Sequence, residues 1–290
     1  MEIAEHIRAI QRDGDLLAAA AQRAGLDAPV PSCPPWQVRD LLRHVSYVHR
    51  WAAVFPGEGR LTPVTDRASE PEVLGGGPPD DELLDWFRAG HAALIETLRS
   101  ADPDVQCWTF LSAPSPLAFW ARRQAHETAM HRVDAELADT VLANTVLAGT
   151  VPTPFPADFA ADGIDELIMG FFGRDSGELT EEQRAGGRQS LLVRATDTGG
   201  EWLLDLTEDG KLAASVRRGG GPAQVQPPQV QSAQVQSAQV QSAQCTLAAR
   251  APDLYLLLWN RVGLATAPVE LSGDHGVFEA WQEGMRVTWQ

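Results

Sequence analysis

Two segments of the sequence carry side chains that commonly bind metal ions. The first, WQVRDLLRHV at 36–45, contains His44, and the second, HETAMHRVD at 126–134, contains Glu127 and His131. On a helix Glu127 and His131 would lie one turn apart and about 40° from each other around the axis, so both would project from one face. Two imidazoles and one carboxylate form a catalytic zinc set, because three protein ligands leave a fourth position open.

The spacing of the histidines in the second segment decides the role of its glutamate. His126 and His131 are five residues apart, or roughly 140° around a helix, so they cannot form the HExxH arrangement of zinc proteases, in which the glutamate acts as a base. Glu127 is therefore expected to be a ligand. The alternative is that Glu127 and His131 are a neighbouring pair on a solvated helix face.

His44 is the candidate for the third ligand because of its surroundings. It lies on the edge of an apolar stripe with helical spacing, formed by Val38, Leu41, Leu42, Val45 and Val48. This position points His44 at least partly inward. The alternative is a core histidine that is hydrogen-bonded to a backbone carbonyl. His49 falls on a different face of the helix and is the weaker candidate.

Several blocks of the chain together resemble a known family. They are CPPW at 33–36, DLLRH at 40–44, WARRQAHETAMHRVD at 120–134, DLYLLLWNR at 253–261 and LSGD at 271–274. In this order they resemble the mycothiol-dependent maleylpyruvate isomerase family, which is part of the wider DinB-like group of metalloenzymes. The resemblance spans nearly the whole chain and is more specific for the fold and the metal site than for the substrate.

The resemblance implies roles for individual residues. It implies that His44, Glu127 and His131 hold the metal, and that Arg261 of the C-terminal domain reaches the active site as a catalytic residue. The alternative for Arg261 is a solvated arginine that closes a helix. Asp134 and Asp40 lie one turn from the histidines, and either carboxylate could orient an imidazole. For Asp40 the alternative is a first-turn charge that is stabilised by the helix dipole.

Composition limits the class of protein. The formal net charge of −16 argues against nucleic-acid binding, which requires basic clusters. The sequence contains no apolar stretch of membrane-spanning length, and its N-terminus is polar and amphipathic rather than a signal peptide. Three cysteines give no disulfide framework or zinc ribbon. These features predict a cytoplasmic protein without a membrane partner. The expected assembly is a monomer or a homodimer.

The pattern of elements predicts an α+β chain with two domains. Helical segments at about 3–24, after Pro34 and Pro35, at about 80–100 and after Pro116 predict an antiparallel four-helix bundle, DinB-like by resemblance, within residues 1–175. A fifth helical segment, 157–172, could join the bundle or bridge to the next domain. Residues 188–290 are predicted to form a smaller α+β domain, with strands at 191–196, 201–206 and 212–217 and helices at 252–260 and 274–283.

A low-complexity insertion interrupts the second domain at 223–244. It repeats Gln-Val-Gln-Ser-Ala without charge or aromatic residues, so burial cannot offset the entropy of ordering it. A mobile loop is predicted there, and an extended strand that pairs with a neighbour is the alternative. The insertion lies just upstream of Arg261, where it could change access or specificity, so the substrate of the similar isomerase is not carried over to this chain.

The chemistry expected of the site follows from its open metal position. A metal-bound thiol loses its proton and becomes a nucleophile at neutral pH. The resemblance implies mycothiol as this low-molecular-weight thiol, with Zn²⁺ or another divalent metal, for isomerisation or S-transfer on a small electrophilic substrate. Two alternatives remain: a thiol-independent metal hydrolase or lyase, and a non-enzymatic regulatory protein whose metal has a fourth protein ligand such as His49 or Cys33.

Overall fold

Four long helices form the first of two units in the chain. The computed structural model describes residues 1–63, 77–142, 152–173, 189–206, 217–219 and 243–284. The units are Met1–Pro154 and Phe155–Gln290. The four helices of the first unit are α1 (Ile3–Ala24), α2 (Val38–Glu58), α3 (Leu83–Ser100, after a 3₁₀ turn at Asp80–Glu82) and α4 (Pro116–Leu142). The predicted α+β class, with a helical bundle first, is confirmed.

Local sequence signals set the ends of the two N-terminal helices. The Glu5 carboxylate accepts the backbone N–H of Glu2 at the start of α1, which satisfies one of the donors that a helix N-terminus leaves unpaired. Both helices are followed by a glycine with positive φ: Gly25 after α1 at 77° and Gly59 after α2 at 64°. Glycine adopts this conformation without the steric cost that a Cβ would add.

Helices α2 and α4 run antiparallel and face each other along the bundle. His44 lies beside Glu127 at one end of this seam, and the ring of Phe55 stacks on Trp120 toward the other end. As residue numbers rise along α2, those of the facing residues on α4 fall. The seam therefore joins the two sequence segments that carry the candidate ligands.

The remaining neighbours complete the bundle with two parallel pairs. Helix α1 is antiparallel to α3, since Gln22 contacts Arg88 while Gln11 contacts Arg99. Helix α1 is parallel to α4, since Asp13 contacts Arg132 and Arg23 contacts Asp139. Helices α2 and α3 are also parallel, since Arg50 contacts Trp86 and Gly57 lies beside Thr97. The connection from α2 to α3 is long enough to permit this parallel placement, as crossover connections in bundles do.

In its described residues, the second unit contains a five-stranded sheet and three helices. The strands are β1 (Gln189–Ala195), β2 (Glu201–Leu206), β3 (Arg217–Gly219), β4 (Cys245–Ala249) and β5 (Glu270–Gly273), in the spatial order β3-β2-β1-β4-β5. Only β1 and β4 pair in parallel; the other pairs are antiparallel. The sequence predicted β1 and β2, but not β4 or β5. Strand β4 ends in two alanines, a residue type that is depleted in strands, and β5 has four residues.

The helices of the second unit are α5 (Ala157–Asp165), α6 (Ala251–Leu258) and α7 (His275–Gly284), and α5 continues as a π-helical segment at Glu166–Phe172. All three occur where helical segments were predicted. Helix α5 packs against α6, and Trp259, just after α6, donates its indole N–H to the carbonyl of Gly163 at 3.2 Å. The units divide at residue 154 rather than after residue 175, because the segment that the sequence left unassigned packs with the second unit.

Two predicted segments fall partly outside the described residues. Of the predicted strand at 212–217, only Arg217 is described, at the start of β3. Residues 223–242 of the insertion are not among those described, so the predicted loop stays a prediction. Within the described parts of the chain, no helix is both long enough and apolar enough to cross a membrane.

Candidate metal centre

Three potential ligand atoms converge between α2 and α4. Nε2 of His44 lies 3.3 Å from Oε1 of Glu127, and Nε2 of His131 lies 3.2 Å from the same oxygen. All three atoms lie within 4.8 Å of one another. His131 and Glu127 are buried, and the side chain of His44 is 21% exposed. The structure thus brings the three predicted ligands together, and their binding of a metal stays a prediction.

The charges at this place are tightly coupled. Burial would raise the pKa of Glu127, but hydrogen bonds with His131 and His44 and the nearby charge of Arg123 outweigh it and hold the pKa well below its usual range. Burial likewise opposes protonation of His131, but its hydrogen bonds with Asp134 and Glu127 raise its pKa to about 9. Without a metal, the site therefore holds a carboxylate and an imidazolium at neutral pH.

Asp134 orients the imidazole of His131. Its Oδ2 lies 2.7 Å from Nδ1 of His131, and Oδ1 accepts a hydrogen bond from the hydroxyl of Ser32 at 2.5 Å. The side chain of Asp134 is fully buried, so it holds one position. A carboxylate that accepts the Nδ1–H of a histidine leaves Nε2 for a metal. This contact is the one predicted for Asp134, and Ser32 adds a support that the sequence did not reveal.

Asp40, the other residue predicted to orient a ligand, occupies a different role. Its Oδ2 accepts the backbone N–H of Gln37 at 2.9 Å, at the start of α2. This contact satisfies a donor that the helix start leaves unpaired and places a negative charge at the positive end of the helix dipole. The structure therefore favours the alternative, in which Asp40 is a first-turn acid that stabilises the helix carrying His44.

Trp36 covers the imidazoles from the chain segment before α2. Its ring centroid lies 5.0 Å from that of His44 and 6.3 Å from that of His131. The same ring packs against the buried core of the bundle. Its contact with both candidate ligands is a feature that the spacing of residues in the sequence did not reveal.

Arg123 is the charged neighbour that sequence reasoning missed. Its guanidinium is 2% exposed, and Nη2 lies 3.1 Å from Oε2 of Glu127. Arginine is rarely buried to this degree without an ionic partner. The signal was present in the sequence, since Arg123 precedes Glu127 by four residues and so lies on the same helix face, but such pairs are also common on solvated helices.

The two residues considered as a fourth protein ligand are both engaged elsewhere. Nε2 of His49 lies 2.9 Å from Oγ1 of Thr128, and Sγ of Cys33 lies 3.6 Å from Oδ2 of Asp134. Within the described parts of the chain, the group of converging donor atoms at this place has three members. A set of three is typical of catalytic rather than structural zinc sites.

Arg261 follows α6 in the second unit. Its backbone N–H donates to the carbonyl of Leu256, and Nη1 donates to the carbonyl of Trp259, both at 2.8 Å. The guanidinium thus folds back on the end of its own helix, as the alternative for this residue supposed. Its predicted role at the metal centre stays a prediction.

Both units match models of one protein family. A model described as the mycothiol maleylpyruvate isomerase N-terminal domain matches residues 7–136, and a model described as the MDMPI C-terminal domain matches residues 158–280. The first range contains all three candidate ligands, and the second contains Arg261. No curated protein matches the sequence.

Two solved structures share the fold. They are crystal structures of the mycothiol-dependent maleylpyruvate isomerase and of a variant of it in which one histidine is replaced by alanine. Each has a TM-score of 0.55 and 12% sequence identity to this chain, and covers 94% of this chain and 93% of its own. At this identity the likeness establishes the fold.

Proposed function

We propose that this chain, which belongs to the mycothiol maleylpyruvate isomerase family, is a thiol-dependent enzyme with a divalent metal at His44, Glu127 and His131. The metal is taken to be Zn²⁺, and mycothiol is the thiol cosubstrate. The reaction is an isomerisation or an S-transfer on a small electrophile. The observation that carries this proposal is the convergence of the three ligand atoms within 4.8 Å.

The residues present fit a zinc ion. Two imidazole nitrogens and one carboxylate oxygen are ligands that zinc commonly takes, and a set of three leaves a position for an exogenous molecule. The hydrogen bond from Nδ1 of His131 to Asp134 directs Nε2 toward the other two ligands. The partial exposure of His44 supports access from solvent on its side, whereas Glu127 and His131 are enclosed.

The thiol provides the nucleophile. A free thiol has a pKa near 8.5 and is largely protonated at neutral pH, and a divalent metal in this site would hold it as the thiolate. The thiolate adds to one carbon of an activated double bond, rotation follows about the resulting single bond, and expulsion of the thiolate restores the double bond in the other geometry. If the sulfur stays attached and the neighbouring carbon takes up a proton, the outcome is S-transfer.

The chain's own residues hold this arrangement in place. Asp134 fixes the ring of His131, and Trp36 packs over both imidazoles. Arg261 is proposed to bind an anionic group of the substrate, on the strength of its position in the family's C-terminal domain. Replacing Arg261 by methionine should then lower turnover while the metal content stays that of the wild type.

Two measurements on the purified protein test the proposal. The first is metal content by elemental analysis of the wild type beside His44→Ala, Glu127→Ala and His131→Ala, with the exposed His275→Ala as the control. We expect one zinc per chain in the wild type and in the control, and a loss of zinc in the other three. Retention of zinc in the three variants would refute the ligand assignment.

The second measurement is turnover with and without the thiol. Maleylpyruvate, the substrate named for the structurally similar enzyme, is the first electrophile to test, followed by other small activated alkenes. We expect turnover that requires mycothiol and is lost in His44→Ala. Turnover of a substrate without any thiol would favour a metal hydrolase or lyase instead. A zinc-loaded protein that binds no thiol would favour the regulatory alternative.

A further inference from the structure

Arg123 holds the carboxylate oxygen that does not face the histidines. Oε1 of Glu127 lies 3.3 Å from His44 and 3.2 Å from His131, whereas Oε2 lies 3.1 Å from Nη2 of Arg123. Residues 123, 127 and 131 succeed one another by one helical turn along a single face of α4. One carboxylate oxygen of Glu127 therefore faces the two histidines, and the other accepts from Arg123.

Because the side chains of Arg123 and Glu127 are both buried, Oε2 depends on Arg123 for a hydrogen-bond donor. Arg123 and Glu127 are 2% and 6% exposed at their side chains, so Oε2 has little access to water. A buried carboxylate oxygen without a donor costs free energy. Without Arg123, Oε2 would have no donor, and the carboxylate would turn to find one, which would move Oε1 away from its place beside His44 and His131.

We propose that Arg123 is a positioning residue that holds Oε1 of Glu127 toward His44 and His131, so that a metal ion bound there has three protein ligands and a position open for the thiol. This inference rests on the proposed metal site. It assigns Arg123 no contact with the thiol or the substrate, since it acts through the carboxylate of Glu127.

The change in metal affinity when Arg123 is removed separates a positioning role from a role of charge alone, because the two roles predict opposite signs. A guanidinium close to a divalent cation repels it, so an arginine that acted only through its charge would weaken metal binding. Its removal would then tighten binding. A hydrogen-bond partner that orients a ligating carboxylate strengthens binding, and the loss of such partners typically costs about 10–100-fold in metal affinity.

The test compares Arg123→Met and Arg123→Lys with the wild type and with Arg88→Met. Arg88 is a half-exposed arginine on α3 that pairs with Asp85 and Gln22, so it controls for the loss of an arginine elsewhere in the bundle. The affinity for Zn²⁺ is measured by competition with a chelator. The visible absorption of the Co²⁺-substituted proteins reports coordination, since four-coordinate Co²⁺ absorbs more strongly than five- or six-coordinate Co²⁺. Circular dichroism of the metal-free proteins reports folding.

We expect Arg123→Met to bind Zn²⁺ about tenfold or more weakly and to lose Co²⁺ absorption intensity. Arg123→Lys can still donate to Oε2 and should recover part of both, and Arg88→Met should match the wild type. Unchanged or tighter binding by Arg123→Met, with an unchanged Co²⁺ spectrum, would overturn the inference. If Arg123→Met does not fold, the result with Arg123→Lys decides. The inference then requires that Arg123→Lys binds Zn²⁺ more weakly than the wild type and shows a weaker Co²⁺ absorption, without losing either completely. A wild type that takes up neither metal refutes the metal site itself rather than the role of Arg123.

Discussion

Metal binding at this site should displace a proton from His131, and the metal affinity should therefore rise with pH. The pKa of His131 in the metal-free protein is raised to about 9, so at pH 7 about one molecule in a hundred has the neutral imidazole that a metal requires. At pH 9 half of the molecules have it. The affinity should thus increase about fifty-fold between pH 7 and pH 9 and then level off.

The same hydrogen bonds determine how the stability of the metal-free protein changes with pH. Since the folded pKa of His131 lies above the ordinary value near 6.5, its ion pairs with Glu127 and Asp134 stabilise the metal-free protein fully below about pH 6.5. That stabilisation is lost as the pH rises through about 9. The metal-free and metal-loaded forms should therefore diverge most in stability at alkaline pH.

A chelator of known pH dependence, titrated against the zinc-loaded protein at half-unit steps from pH 6.5 to 9.5, measures the affinity. Asp134→Asn is the matched variant, because it removes the charge that raises the pKa of His131 while an amide oxygen can still accept from Nδ1. Its affinity should level off at a lower pH than that of the wild type. A wild-type affinity that does not change between pH 7 and pH 9 would show that no proton leaves His131 on binding, and would refute the coupling.

Three further predictions concern the bundle that holds the site. Burial lowers the pKa of His49 well below its usual range, so between pH 7.5 and 5.5 the unfolded chain gains a proton at this residue that the folded chain does not. The wild type therefore loses free energy of unfolding over this interval. His49→Gln should reduce that loss by about 1.4 kcal/mol, as measured by urea titrations at the two pH values. Arg132→Met would remove the cation shared by the buried Asp13, which keeps its ion pair with Arg12, and the largely buried Glu136, and should cost about 1.5–3 kcal/mol in the same assay. Gly14→Ala would drive a Cβ into the ring of His91 and should lower the free energy of unfolding by about 1–3 kcal/mol. For each of the three variants, an unfolding free energy that matches the wild type under these conditions would contradict the contacts described for that residue.

The convergence of the three candidate ligands was predictable because it depends on helix geometry. Glu127 and His131 share a face at any point on a regular helix, and the apolar stripe beside His44 turns that histidine toward the bundle interior. The ends of α1 were likewise predictable from the amphipathic pattern and from Gly25. These features follow from short-range rules that neighbouring residues obey whatever the rest of the chain does.

Features that depend on a choice between competing partners, or on distant residues, were not predictable in the same way. Asp40 lies one turn from His44, a spacing that suits an orienting carboxylate, but the backbone N–H of Gln37 takes its Oδ2 instead. Arg123 could have been a solvated arginine, and only the packing of α4 inside the bundle shows it to be buried. The parallel pairing of α1 with α4 depends on how the four helices pack together, and no periodicity within a helix encodes it.

The small strands of the second unit show a similar limit. Cys245–Ala249 is stabilised as a strand by β1 on one side and β5 on the other, so its partners decide its conformation more than its own residues do. Trp202 and Leu204, by contrast, alternate with less buried neighbours along β2, and this alternation is a signal that the sequence alone carries.

The most direct test of the central claim is to add a low-molecular-weight thiol to the Co²⁺-substituted protein and record the near-ultraviolet spectrum. A thiolate that binds Co²⁺ produces an intense charge-transfer band, which neither component has alone. The proposed open position at His44, Glu127 and His131 predicts that this band appears on titration with mycothiol, saturates at one thiol per metal, and is absent from the His44→Ala protein. A Co²⁺-loaded wild type that shows no such band at saturating thiol would contradict the claim that this site activates a thiol.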